Sequence, residues 1–161
     1  MHKLALLLAA LLLFATALSA DTVVIAVRHA EKVGDGSKDP LLTAEGQKRA
    51  EALGRMLRDA GVSAIYSTPF HRTRDTAAPL AKQLGIAVTE DPAAPPALAQ
   101  RILKENRGKV VLVVGHSNTV PALVAALGGA EVPAIADPEY DNLYIVVIPD
   151  AGAARVVRLR Y

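Results

Sequence analysis

Residues 23–31 read Val23-Val24-Ile25-Ala26-Val27-Arg28-His29-Ala30-Glu31, an apolar, β-branched run that stops abruptly at a cation and an imidazole. Apolarity without alternation predicts a strand over Thr22 to Arg28 that is covered on both faces, as strands are between two helix layers. In open α/β sheets, ligands lie in the crevice at the carboxyl ends of the strands. An arginine beside a histidine at that end suits an anion, above all a phosphoryl group.

A second run of the same kind, Val110 to Val114, ends in Gly115-His116-Ser117-Asn118. Between and after these two strands the patterns alternate. Val33 to Pro40 is a Gly/Asp/Ser/Pro loop. Thr43 is placed to cap a helix whose apolar stripe is Leu53, Leu57 and Ala60 and which ends at Gly61. Ser63 to Ser67 is a strand, and a helix then runs to Gly85. Pro79 lies inside that helix, so its regular part is expected to start near Asp75, which puts the proline in the first turn. Ile86 to Thr89 is a short strand, Asp91 to Pro96 a surface loop, and Ala97 to Asn106 a helix. The turn after His116 leads into a helix through Leu127. Gly128 to Asn142 is irregular. Leu143 to Ile148 and Ala154 to Tyr161 are strands joined by the turn Pro149-Asp150-Ala151-Gly152. The alternation predicts a single three-layer α/β/α domain over 21–161. Its sheet is mostly parallel, with an antiparallel strand from the C-terminal hairpin.

Residues 1–20 read differently. His2 and Lys3 precede an almost unbroken Leu/Ala/Phe stretch from Leu4 to Leu18, followed by Ser19 and Ala20. This is the layout of a cleaved secretory signal, with export to the periplasm or the medium expected. The alternative is an uncleaved anchor, but the apolar run of about 15 residues is short against the roughly 20 of a membrane span. Removing residues 1–20 removes one lysine and no acid, so the net charge falls from +2 to +1. That balance offers no nucleic-acid footprint, and no stable membrane association is expected once the signal is gone. The absence of cysteine removes thiol nucleophiles and thiolate metal sites.

Two buried strands thus end in histidines, His29 and His116. A third, ending at Ser67, leads into Thr68-Pro69-Phe70-His71-Arg72-Thr73-Arg74-Asp75-Thr76-Ala77. If these strands are parallel neighbours, Arg28, His29, Arg72 and His116 converge. Guanidiniums are planar forks for phosphate oxygens, and a histidine can attack phosphorus. The helix after His116 adds a positive dipole end.

With these three segments in this order, the chain resembles the histidine phosphatase superfamily, the phosphoglycerate-mutase-like proteins. The resemblance implies that His29 is the nucleophile and becomes phosphorylated, while Arg28, Arg72 and His116 hold the phosphoryl group. It implies no metal and no organic cofactor. The expected partner is a small phosphorylated substrate, a sugar phosphate or a phosphoprotein. Members usually carry a proton donor for the leaving group. Here Glu90 is the first candidate, with Asp91, Glu139 and Asp141 as rivals. A phosphohistidine or acyl phosphate, having a better leaving group, could do without one. His71 is expected at the rim, and Ser117 and Asn118 as helix caps that also line the pocket. Tyr140 is expected to pack, and Glu31 to orient an arginine or His29.

Rival readings are weaker. Gly115-His116-Ser117-Asn118-Thr119 approaches a hydrolase nucleophile elbow but lacks the last glycine, and no histidine follows His116 to complete a triad. No His-Glu-x-x-His occurs. A phosphoglycerate-mutase-type transferase and a non-catalytic phospho-ligand module are the alternatives within the resemblance. The first suits an exported chain poorly, and the second does not account for both histidines.

Overall fold

A computed structural model describes residues 20–161. The expected signal, 1–20, lies outside the described residues except for Ala20. Among those residues, β1 (Thr22–Arg28), β2 (Val62–Ser67), β3 (Val88–Glu90), β4 (Val110–Gly115), β5 (Asn142–Ile148) and β6 (Arg155–Arg160) alternate with four helices. These are α1 (Ala44–Leu57), α2 (His71–Leu84), α3 (Pro95–Glu105) and α4 (Thr119–Ala126). No described helix is long and apolar enough to cross a membrane.

The strands form one sheet in the order β3-β2-β4-β1-β5-β6. β1 to β4 are mutually parallel, and β5 pairs antiparallel with both β1 and β6. β5 alone therefore runs against the rest, which is the expected contribution of the hairpin. Alternate side chains of β1 enter different cores. Val24 and Ala26 pack with Leu98 and Ile102 of α3 and Leu123 and Val124 of α4. Ile25 and Val27 pack with Leu53 and Leu57 of α1 and Leu80 of α2. This is why β1 and β4 carry no polar alternation: neither face meets water.

Two expectations need correction. α2 begins at His71, a turn earlier than expected, so Pro79 sits in the helix interior. An interior proline costs about 3 kcal/mol by losing one ladder bond and crowding the preceding turn. The neighbouring Leu80 is fully buried, which returns roughly 2 kcal/mol. Starting the helix at His71 also lets Thr73 and Arg74 donate backbone bonds to the Phe70 carbonyl. Gly85, with φ 67°, ends α2 in the left-handed conformation. The second correction concerns the loop after β3, which is not wholly at the surface. Asp91 is 3% exposed; it accepts from the Ala93 N–H and pairs with Arg101.

Candidate active site

Strand register builds the crevice. Arg28 lies opposite Gly115, and the His29 N–H donates to the Gly115 carbonyl at 2.9 Å. The following residues, His29 and His116, therefore stand side by side, with ring centroids 5.4 Å apart and planes at 68°. On the other edge of β4, Ser67 pairs with Val114. The next residue, Thr68, then brings Oγ1 to 3.0 Å from His116 Nε2. A Cβ on Gly115 would sit 2.8 Å from Thr119 Oγ1, so any larger residue here would push Thr119 out of place. Thr119 Oγ1 closes the turn by accepting from the His116 N–H. Asn118 stands at the N-cap of α4 but makes no side-chain cap bond. The closing role expected of Ser117 and Asn118 thus belongs to Thr119.

His29 is 3% exposed. Its Nδ1 is 2.8 Å from the Ala30 carbonyl oxygen. A carbonyl only accepts, so Nδ1 carries the proton and Nε2 keeps a lone pair. Burial drives the pKa of His29 down to about 4. The bond to Ala30 opposes this, while His116, Arg28 and Arg72 reinforce it. Burial, then Arg72 and Arg28, hold His116 at about 4 as well. Both rings are neutral at pH 7.

Arg28 is buried, and its Nη1 donates to the carbonyls of Ala136, Asp137 and Glu139 at 2.9, 2.9 and 3.0 Å. Tyr140 lies over its guanidinium, 4.2 Å from the carbon to the ring centroid, and 6.0 Å from the His29 ring. Tyr140 is thus a wall of the crevice and not only packing. The Nε–H of Arg28 is buried without a protein acceptor. An unmet buried donor costs about 1–3 kcal/mol. Arg72 stacks on Phe70 at 4.3 Å. Its Nη1 is 3.4 Å from the Lys38 carbonyl oxygen and 3.8 Å from Asp39 Oδ1. Asp39 also accepts from the His71 N–H at 2.8 Å, so the loop after β1 closes over the start of α2. Thr76 completes the framework, accepting from the Ala30 N–H and donating to the Arg72 carbonyl.

The remaining expected residues fall at the rim or beyond it. Arg74 points outward to Glu90 at 3.1 Å and to His71 Nδ1 at 3.1 Å. The His71 side chain is half-exposed and accepts from Arg74 at Nδ1. Glu31 orients neither Arg28 nor His29; it grips Arg49 of α1 with both carboxylate oxygens. Burial opposes the charge of Glu31, but the Arg49 guanidinium holds its carboxyl below the ordinary range. The four proton-donor candidates are all engaged. Glu90 pairs with Arg74, and Asp91 is buried against Arg101. Glu139 and Asp141 share Arg160, and that guanidinium holds Glu139 below its ordinary range. Among the described residues no three His, Asp or Glu side chains are grouped to hold a metal ion.

The sequence reading missed Thr68, Phe70, Asp39 and Asp137. The Asp137 carboxylate is fully exposed with Oδ1 3.8 Å from Arg28 Nη2. Asp39 offered one signal, an acid before a proline in a loop of turn formers. The others depend on tertiary neighbours.

Comparison with known proteins agrees with this fold. The family model described as histidine phosphatase superfamily (branch 1) matches residues 24–94. The probable phosphoglycerate mutase GpmB of Erwinia tasmaniensis is 33% identical over 72 residues, covering 41% of this chain and 34% of that protein. The chain thus matches about a third of the length of this curated relative. The solved structure of the protein histidine phosphatase SixA complexed with tungstate superposes with a TM-score of 0.70 at 19% identity, covering 86% of this chain and 96% of that one. A mycobacterial glucosyl-3-phosphoglycerate phosphatase superposes with a TM-score of 0.67 at 17% identity, covering 88% and 98%.

Proposed function

Because the chain belongs to the histidine phosphatase superfamily, we propose that it is a phosphohydrolase that cleaves a phosphomonoester or a phosphohistidine through a covalent intermediate on His29. The observation that carries this reading is the His29 tautomer. Its Nδ1 proton is committed to Ala30, so a neutral Nε2 lone pair is available in a crevice lined by two guanidiniums.

In the first step the Nε2 lone pair attacks phosphorus. An Nε2–P bond forms, and the bond to the leaving oxygen or nitrogen breaks with its electron pair. In the second, water attacks phosphorus, the Nε2–P pair returns to the ring, and phosphate leaves. Arg28 and Arg72 hold the non-bridging oxygens through both transfers, where fixed donors act on developing charge, and His116 joins them as a donor once it takes up a proton. No metal is assigned to either step.

An alkoxide leaving group requires a proton. We assign that role to Glu90, on release cost. Its pair with Arg74 is half-exposed, and exposed pairs are worth about 0–1 kcal/mol, so the carboxyl swings free easily. Asp91 would have to leave a buried ion pair, and Glu139 and Asp141 a shared one. A phosphohistidine substrate bypasses the requirement. Phosphorylated sugars and phosphohistidine are therefore the substrate classes proposed. The solved relatives named for a protein histidine phosphatase and a glucosyl-3-phosphoglycerate phosphatase support both. The apolar 4–18 segment supports action outside the cytoplasm.

The test is a screen over sugar phosphates, nucleotides and phosphohistidine with a His29→Ala control, together with trapping of labelled enzyme. A base-stable, acid-labile label that disappears in His29→Ala is expected. A wild-type protein that hydrolyses none of these substrates refutes the reading.

A further inference from the structure

Behind His116, on the side away from His29, lies a set of hydrogen bonds that the reaction above does not use. Thr73 is fully buried in the first turn of α2. Its Oγ1 is 2.9 Å from the Thr68 carbonyl oxygen and 2.9 Å from the Phe70 carbonyl oxygen. It is also 2.7 Å from Thr68 Oγ1. Thr68 Oγ1 in turn is 3.0 Å from His116 Nε2.

These distances fix the direction of every proton in the chain. A hydroxyl has one proton to give, and a carbonyl oxygen only accepts. If the Thr73 proton pointed at Thr68 Oγ1, its lone pairs would face two carbonyl oxygens at 2.9 Å with no hydrogen between. The Thr73 proton therefore goes to the carbonyls, and Thr73 accepts from the Thr68 hydroxyl. Thr68 has then spent its own proton. It can meet His116 only as an acceptor, and His116 Nε2 must carry a hydrogen.

We infer that Thr73 and Thr68 are positioning residues that lock His116 in the Nε2–H tautomer, opposite to the Nδ1–H tautomer that Ala30 imposes on His29. The catalytic consequence rests on the phosphohydrolase reading; the tautomer itself does not. His29 presents a bare Nε2 as nucleophile. His116 keeps its Nε2 as a donor, and its one basic atom is Nδ1. Two neighbouring imidazoles are thus made chemically distinct by backbone carbonyls, one directly and one through two hydroxyls. Any proton that His116 takes up on meeting an anion goes to Nδ1.

The sequence has four histidines, so their ring nitrogens are few enough to assign by two-bond proton–nitrogen NMR on uniformly labelled protein, with His29→Asn and His116→Asn identifying two of the sets. At neutral pH the wild type is expected to show a protonated Nε2 and a bare Nδ1 for His116, with the reverse for His29. Thr73→Val removes the acceptor for the Thr68 proton. That frees Thr68 to donate toward His116, and the Nε2–H to Nδ1–H ratio falls about tenfold, the scale of one net hydrogen bond. Thr73→Ser restores the wild-type pattern. If Thr73→Val does not fold, Thr68→Val tests the same link and shifts the ratio in the same direction. A wild-type His116 protonated on Nδ1 overturns the inference, as does a Thr73→Val spectrum unchanged at His116. A protein with the expected tautomers but no phosphatase activity would instead overturn the proposed function alone.

Discussion

Replacing His29 with asparagine should remove an acid-dependent penalty on folding. Burial lowers the pKa of this ring from 6.5 to about 4, with His116, Arg28 and Arg72 adding to the effect and the Ala30 bond partly opposing it. The unfolded chain keeps the ordinary value. Between the two values the unfolded chain binds more protons, so the free energy of unfolding falls as pH is lowered from 6.5 toward 4. Above 6.5 the ring is neutral in both states and the full stability is present. Taken through the two pKa values, the deficit from this one residue is about 2 kcal/mol near pH 5 and about 3 kcal/mol near pH 4. At 3% exposure the ring has little water to screen it. Asparagine does not titrate, and its amide N–H is placed to donate to the Ala30 carbonyl as Nδ1 does. Urea unfolding of both proteins near pH 7 and near pH 5, at one ionic strength, isolates the effect, because the carboxylates are common to both. The wild type should lose about 2 kcal/mol more than His29→Asn over that interval. Equal losses would show that His29 keeps an ordinary pKa, and the argument for a neutral, desolvated nucleophile would fail with it.

Three further outcomes follow from the geometry. Arg72→Ala should lower kcat by about 10²–10³-fold, the scale for loss of one fixed donor to a developing oxyanion. Arg74→Ala, which breaks only outward contacts with Glu90 and His71, should cost less than about tenfold; equal losses in steady-state kinetics would reassign the phosphate fork. Glu90→Gln should slow an alkyl phosphate far more than an acyl phosphate or phosphohistidine, because only the first needs a strong acid. A slope of log kcat against leaving-group pKa unchanged by the substitution would remove Glu90 from proton donation. Thr76→Val leaves the buried Ala30 N–H without its acceptor, and should lower unfolding free energy by about 1–3 kcal/mol in urea titration; no loss would show that the N–H finds another partner.

The strands and the two histidines were legible because they obey local rules. Val23–Val27 and Val110–Val114 lack polar alternation, which signals cover on both faces, and a histidine at the end of such a run has nowhere to go but the crevice. Helix α2 was misread at its start because proline is a local signal and its compensation is not. Nothing in residues 71–79 announces that Leu80 will be fully buried and that the Phe70 carbonyl will take two backbone bonds. Asp91 was misplaced for the same reason. A Pro/Ala-rich stretch reads as exposed, but the aspartate turns inward to Ala93 and Arg101. Glu31 was expected to orient an arginine or His29, and the arginine it holds is not one beside His29. Its partner, Arg49, comes from α1, which the bridge between Lys32 and Leu42 brings alongside. Side chains whose roles depend on a neighbour from another element, Asp39 and Thr68 among them, carry no mark in their own vicinity.

What makes the crevice a site is the parallel register of three strands, set deep in the cores and far from any reacting atom. Val23↔Val110 through Arg28↔Gly115 brings His29 beside His116, and Ser67↔Val114 brings Thr68 to the opposite side of the same imidazole. A slip of one residue in β1 against β4 would turn Val24 and Ala26 toward the wrong helices and separate the histidines at once, so core packing and site geometry are specified by the same pairing. Burial from that packing is the largest cause that holds both imidazoles at about 4, and Arg28 and Arg72 add to it, with His116 also acting on His29. The two guanidiniums that would grip a phosphoryl group thus also reinforce what burial does to keep the rings neutral. An anion that offsets their charge relieves that reinforcement and leaves the burial. On the proposed reaction both rings gain some basicity as the anion arrives, and burial is what keeps Nε2 of His29 unprotonated for attack, with Ala30 fixing the proton on Nδ1.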